Sequence, residues 1–528
     1  MHDSESQDIE TATTVLESQP DSKTRRYDRQ LRLWAASGQR ALENSRVLLL
    51  SGSATSASIL KNLVLPGIGH FTILDDSLVT PRDAGNNFFL EGDSSIGKPR
   101  AEEVVRLLLE LNDQVEGKAD LRNVKNVVEE DPEYIKSFTL VIAHNLDLEL
   151  LRKLSNLLWG SETDPALMVV SSAGFMAEFS IQFYEHCVME SHSDAVPSLR
   201  MDKPFSSLLE YTDGLDFQSM DPTDHSHLPY VVILVRALQT WKQSHDGSPP
   251  KSYAEKQEFK QHVLDMRLKL DEENFEEAEA QAYRCAIATT VPSEISSLFS
   301  HPALSAPLTP TSPPFFLLLA ALKKFTEQPP HVLPLTSTLP DMRADTKNYI
   351  HLQKLYKKQA DDEKTAFKGY LKEVLGGEEG VVEDAMVDTF VKNVHQLKIL
   401  KGKKWGALDK EKTLLAQELS NAPNHASTHL AMSALLHYHA QSPDTDPTLE
   451  QLRTVAHSLV GQDVQLPEEF DVVAGEIART PTAELPNTAA FLGGMVAQEA
   501  IKMITKQYVP ITGYCVIDLV ETSTAIVG

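Results

Sequence analysis

The chain has 528 residues, enough for about two to four domains with sizeable cores. Its 41% hydrophobic and 23% charged residues are ordinary for a soluble globular protein. A formal net charge of −26 and a pI near 5.1 argue against nucleic acid and anionic membrane surfaces as partners.

Residues 1–22 are polar and acidic, which predicts a disordered tail rather than a secretory signal. Next comes an arm in which Tyr27, Leu31 and Trp34 lie at helical spacing, with Arg25, Arg29 and Arg32 on other faces. Those arginines suit either a solvated face or an offered phosphate contact, where a planar, permanently charged fork is most effective.

Residues 47–50 form a short apolar run, residues 51–56 a tight polar turn, and Ile59, Leu60, Leu63 and Val64 follow at helical spacing. A second apolar run at residues 71–74 ends in Asp75. This order is that of a dinucleotide-binding βαβ unit. The turn, however, holds Ser51, Gly52, Ser53, Ala54 and Ser56 where a phosphate cradle needs several glycines. Cβ atoms there crowd the anion position and resist positive φ, so the unit reads as retained scaffold rather than a working nucleotide pocket.

Residues 79–90 read as a polar loop, and a helix is predicted from residues 97–100 onward with Val104, Leu107, Leu108 and Leu111 on its apolar face. Apolar runs at 140–143 and 168–171, and a further segment at 179–184, supply more strands. From about Cys187 the texture becomes helical, with helices predicted over 230–241, 253–270, 276–288, 349–375, 411–419 and 428–439. A proline-rich linker occupies 304–314. The longest apolar stretch, residues 314–322, is too short to span a bilayer. Acidic runs at 271–273 and 276–277 read as solvated helix faces, and His225-Ser226-His227 as a loop rather than a metal-ligand pair.

The α/β texture returns near residue 486, with an apolar helix over 489–505 carrying Gly493 and Gly494, then a final strand at 514–519. The expected fold class is therefore α/β: a Rossmann-like doubly wound sheet from residues 23–185 and 485–528, interrupted by a large, mainly helical insertion over 186–484. Cys187, Cys285 and Cys515 have no CxxC spacing, which excludes a disulfide framework and a zinc ribbon and fits a reducing compartment. None sits in a context that would activate a thiol.

The runs YDRQLRLW, LPGIGHFTILDD, SIGKPRAE and AAFLGGMVAQEAIKMITKQYVP resemble the adenylation domains of ubiquitin-like-modifier activating enzymes, the ThiF/MoeB-like adenylation family. DAGNNFFL, LRMDKPFSSL, DHSHLPYVV, DEENFEEA and LPDMRADTKNYIHLQ narrow the resemblance to regulatory, non-catalytic subunits that serve a Nedd/Rub-type modifier in neddylation. It covers nearly the whole chain beyond residue 22. The alternatives are the equivalent subunit for SUMO, against which the large insertion speaks, a self-sufficient nucleotide-dependent adenylating or redox enzyme, and a scaffold without catalytic contribution.

The resemblance implies a degenerate adenylation site. Active relatives carry a glycine-rich turn in place of the residues from Ser51 to Ser56. They have Asn, Arg and Gln where this chain has Asp83, Asn86 and Asn87, and a catalytic lysine where it has Arg100. The carboxylate that helps hold Mg²⁺ falls near Asn145, with Asp147 close by, while Asp75 survives at the ribose-contacting position. No cofactor and no metal are thus expected on this chain, with ATP and Mg²⁺ on the partner subunit. Arg29 matches an arginine that reaches in trans into the partner's ATP site, with Arg32 as a neighbouring contributor. The implied partners are the catalytic subunit in a heterodimer, the Nedd/Rub modifier and its conjugating enzyme, with no nucleic acid and no membrane. The insertion resembles half of a catalytic-cysteine domain whose reactive cysteine lies on the partner. The expected role is non-catalytic, in cytoplasm and nucleus.

Overall fold

A computed structural model describes residues 21–528 apart from 162 and 195. The tail expected over 1–22 lies, up to residue 20, outside the described residues; Asp21 already caps a helix. The chain divides into two compact units, one of residues 19–188 and 399–528, the other containing 189–398.

The first unit is built on an eight-stranded sheet. Its strands are β1 (Arg46–Leu49), β2 (His70–Leu74), β3 (Glu116–Asp120), β4 (Leu140–His144), β5 (Ala166–Ala173) and β6 (Met176–Gln182). After a two-stranded ribbon of β7 (Glu185–Val188) and β8 (Lys398–Lys401) come β9 (Tyr514–Asp518) and β10 (Ser523–Val527). The sheet order is β10-β9-β6-β5-β4-β1-β2-β3. Strands β3, β2, β1, β4 and β5 run parallel, and β6, β9 and β10 extend the sheet antiparallel.

The apolar runs are continuous because both faces are covered. On one face Val47, Leu49, Leu140, Ile142, Met168 and Val170 pack with α3 (Ala54–Val64), the helix Arg100–Leu109 and the C-terminal helix Pro486–Thr505. Their alternate neighbours Leu48, Val141, Ala143, Leu167 and Val169 pack on the helix Leu148–Leu157. Gly493 permits the closest helix contact, since a Cβ there would lie 2.7 Å from that of Ser58. Its neighbour Gly494 is exposed and meets nothing.

Several expected boundaries move. The helical segment 399–484, expected within the insertion, lies in the sheet unit, and the other compact unit ends at 398. The reason is the helix Pro423–Gln441, buried on nearly every side. Its His429 Nδ1 lies 2.8 Å from Glu178 Oε2 on β6, and its Nε2 lies 3.2 Å from Asp409 Oδ1. Burial opposes charge on this imidazole, yet the two carboxylates outweigh it and push its pKa up to about 10. Segment 514–519 is not the last strand, because β10 follows it. Residues 79–90 are not all loop, because Thr80 and Asp83 close a capping box over the short helix Pro81–Asn86.

The second unit is helical. A core around the helix Tyr230–Ser244 includes Phe259, Phe275, Leu352 and Tyr356. The buried Tyr356 hydroxyl donates to Leu199 O at 2.6 Å. The longest helix here, Thr346–Val374, has 29 residues. The helix expected over 253–270 stops at Asp265, and that expected over 276–288 becomes Glu273–Gln281 with a 3₁₀ turn after it. Among the described residues no helix is long and apolar enough to cross a membrane.

Candidate functional site: a filled nucleotide-type cleft and an exposed arm

In a doubly wound sheet, ligands sit where neighbouring parallel strands lead their chain in opposite directions, at the strands' carboxyl ends. Here that crevice lies between β1 and β4, because β1 connects to β2 on one side and pairs with β4 on the other. The turn after β1 opens α3, with Ser53 as N-cap accepting from the Ser56 amide. Helix N-termini offer unpaired amides and a partial positive charge.

Most of the polar groups that line it are paired within the chain. The Gly52 amide donates to Asp75 Oδ2 at 2.7 Å, and Arg100 Nε donates to the same oxygen at 2.7 Å. The second Asp75 oxygen accepts from Ser77 N. The ribose-position carboxylate is therefore taken on both sides, and it is only 4% exposed. Arg100 reaches on to Asp83 Oδ1 at 3.0 Å. Burial works against the Arg100 charge, but Asp75 and Asp83 keep the guanidinium raised; burial also works against the Asp83 charge, but the hydrogen bonds from Thr80, and then Arg100, keep that carboxyl below its ordinary value. Asn87 donates to Gly52 O at 3.3 Å, and Asn86 to Glu484 O at 2.9 Å.

The α3 amides themselves are capped by a residue from the far end of the chain. Thr55 N donates to Glu484 Oε1 at 2.5 Å. Next to this carboxylate His144, at the end of β4, lies 2.8 Å from Ser53 Oγ and 3.0 Å from Ser172 Oγ, and 3.8 Å from Glu484. Burial holds His144 below its ordinary pKa. Burial pushes Glu484 up, but His144 and the hydrogen bonds from Thr55 and Ala54 outweigh it and hold the carboxyl below its ordinary value. Asn145, at the expected Mg²⁺ position, spends its amide on the backbone of Ser172, at 3.0 and 2.9 Å. Asp147 is the N-cap of its helix and accepts from Leu150 N at 2.8 Å. Asn145 carries no carboxylate, and Asp147 gives one of its oxygens to its helix cap.

The arm is the opposite case. Helices Ser22–Arg26 and Asp28–Glu43 meet at Tyr27, which is buried and whose hydroxyl accepts from Asn112 Nδ2 at 2.9 Å. Arg26 secures the same point through Asn112 and Asp113 at 2.8 and 2.6 Å. A break at Trp34 and Ala35, where φ of Ala35 is 53°, ends the first stretch. There Gln507 Nε2 donates to Trp34 O and Trp34 Nε1 to Gln39 Oε1, at 3.0 and 3.2 Å. Between these anchors Arg29 is exposed with no ion pair among the described residues, and exposed Arg32 meets only Asp28, four residues earlier on the same helix, at 3.0 Å.

The ThiF family profile matches residues 27–156, which hold the arm, the turn and the first four strands. Over 513 residues the chain is 34% identical to the NEDD8-activating enzyme E1 regulatory subunit of Xenopus laevis, covering 92% of this chain and 95% of that protein. The chain belongs to this family of regulatory subunits. The Gallus gallus subunit matches over the same lengths at 34%, and an Arabidopsis thaliana regulatory subunit, AXL, is 33% identical over 92% of this chain and 96% of its own.

Within that family setting, the sequence made Arg29, Arg100 and the altered turn visible but not Glu484, His144 or Ser172. Glu484 lies in an ordinary loop before Pro486, 429 residues from its partner Thr55. No local pattern marks such a contact. His144 ends an apolar strand and reads as any terminal polar residue.

Proposed function

We propose that this chain acts as the regulatory subunit of a heterodimeric activating enzyme for a NEDD8-type ubiquitin-like modifier. The full-length relation to regulatory subunits carries this reading. In it, the catalytic subunit binds ATP and Mg²⁺, adenylates the modifier's C-terminal carboxylate and accepts it on a cysteine. The present chain completes the enzyme without using a nucleotide itself, which the internally paired cleft supports. The buried thiols agree: burial pushes Cys285 up to about 12 and Cys515 up to about 11, far from a nucleophile's range.

The chain's direct contribution is Arg29. Adenylation places negative charge on the departing pyrophosphate, and a guanidinium delivered there from a second subunit stabilises that charge only as it develops. An exposed arginine on an anchored arm has the freedom to do so, and Arg32 lies one turn further along. Residues 189–398 would wall the domain around the partner's cysteine, and a conjugating enzyme is a further partner of the assembled pair. The test is modifier-dependent ATP–pyrophosphate exchange with this chain alone, with its catalytic partner, and with Arg29→Ala in that pair. Silence alone and a strong signal in the pair that Arg29→Ala reduces are expected. Exchange by the chain alone would refute the reading, and indifference to Arg29 would make the chain a scaffold.

A further inference from the structure

We infer that the Glu484 carboxylate is a built-in substitute for a nucleotide phosphate, locked onto the N-terminus of α3 by its own loop. The inference rests on the reading of this chain as a subunit that does not adenylate. Three observations carry it. First, the position: the amides at the start of α3, at the carboxyl end of β1, are where a phosphate would sit in a βαβ unit, and Thr55 N donates to Glu484 there. An anion at a helix N-terminus is stabilised by both the free amides and the dipole.

Second, the loop around Glu484 is tied down on every side. Gly174 N, at the β5–β6 turn, donates to Ala483 O at 2.8 Å, and Thr488 Oγ1 donates back to Gly174 O at 2.7 Å. Gly174 has φ of +59°, and a Cβ there would lie 2.2 Å from Thr480 Oγ1, so only glycine lets the loop come so near. The Arg82 guanidinium donates to the hydroxyl and carbonyl oxygens of Thr482, and Asn86 Nδ2 to Glu484 O at 2.9 Å. Asn86 stands where active relatives are expected to hold an arginine for ATP.

Third, the cleft already carries more negative than positive charge without an added anion. Arg100 is matched by Asp75 and Asp83, and the α3 dipole by Glu484, whose side chain is only 14% exposed. An incoming phosphate would have to displace a carboxylate that its own chain keeps at high local concentration. The turn residues Ser53 and Ala54 then need not be glycine, since a carboxylate on a side chain requires less backbone approach than a pyrophosphate.

The test removes the substitute and offers the real anion. Full-length chain and Glu484→Ala are melted in pyrophosphate or in chloride at matched ionic strength. The expected result is that pyrophosphate raises the melting temperature of Glu484→Ala by about 3 °C or more, saturably, and leaves the unaltered chain unmoved. Equal shifts for both proteins, or for neither, would overturn the inference. If Glu484→Ala aggregates, its refolding is compared in the two salts: recovery in pyrophosphate alone supports the substitution, and equal failure overturns it. Neither negative result touches the reading of the subunit's function, which fails separately if the chain exchanges pyrophosphate alone.

Discussion

The cleft beside α3 and the arm that carries Arg29 are in opposite states. In the cleft, Arg100 is paired with Asp75 and Asp83, and Glu484 takes the Thr55 amide, all within the chain. On the arm, Arg29 has no such partner among the described residues, and Arg32 has only a surface one. Internal pairing consumes a group's capacity to bind: a buried ion pair gives up its ligand, while an exposed guanidinium keeps its charge for another molecule.

Arg29→Ala in the assembled pair is the change that should sharpen this contrast most. A loss of about 10³-fold in modifier-dependent pyrophosphate exchange is expected, near the lower end for an arginine acting in trans. The chain's own urea midpoint should stay put, because the residue is exposed and has no ion pair among the described residues. The reverse pattern is expected of Arg100→Ala, which strands two carboxylates in a crevice: a loss of about 3 kcal/mol in urea unfolding. Exchange per assembled enzyme should be unchanged. If Arg100→Ala abolished exchange in a stable pair, the cleft would not be the inert half of the comparison.

A third measurement concerns a buried charge cluster far from either place. His429 is held with a pKa near 10 between Glu178 and Asp409, above its unfolded value of about 6.5. A raised folded pKa means that this stabilisation is complete below about pH 6.5 and is lost as pH rises toward 10. Urea unfolding at pH 6 and at pH 9 should therefore show the higher stability at pH 6, and His429→Gln should flatten the difference. A His429→Gln chain with the same pH slope would remove this cluster as its cause. The smallest effect belongs to the arm's anchor: Tyr27→Phe deletes the hydroxyl that Asn112 donates to and should cost about 1 kcal/mol. A loss of exchange well beyond what that destabilisation explains would show that Tyr27 also sets the reach of Arg29.

Much of this architecture was legible in the residues. The strands β1, β2 and β4 are readable because both of their faces are covered, which makes them apolar at most positions. β3 is not, since it is the sheet's edge and its sequence EGKAD buries fully only Asp120. β10 escapes for a related reason: Ser523, Thr524 and Ala525 open a strand that is only half covered. Helical spacing identified the helices around residues 412–441 but could not tell what they pack on, so they were expected in the insertion until His429 was seen bonded to Glu178 on β6. Of the site, the loss of glycines was plain in the turn itself. What replaced the nucleotide was not, because Glu484 owes its role to a contact closed only by the whole fold.

The two-point fixing of the arm has a further consequence. Tyr27 and Trp34 hold the six residues between them in place before any partner arrives. Ordering a free segment costs roughly 1–2 kcal/mol per residue, a penalty that a dangling arginine would levy on every encounter. Here folding has already met that entropy, so only the rotamers of Arg29 and Arg32 remain to be frozen on engagement. The arm behaves as a preorganised span rather than a flexible tether, and shortening or loosening either anchorage should weaken its action even with both arginines intact.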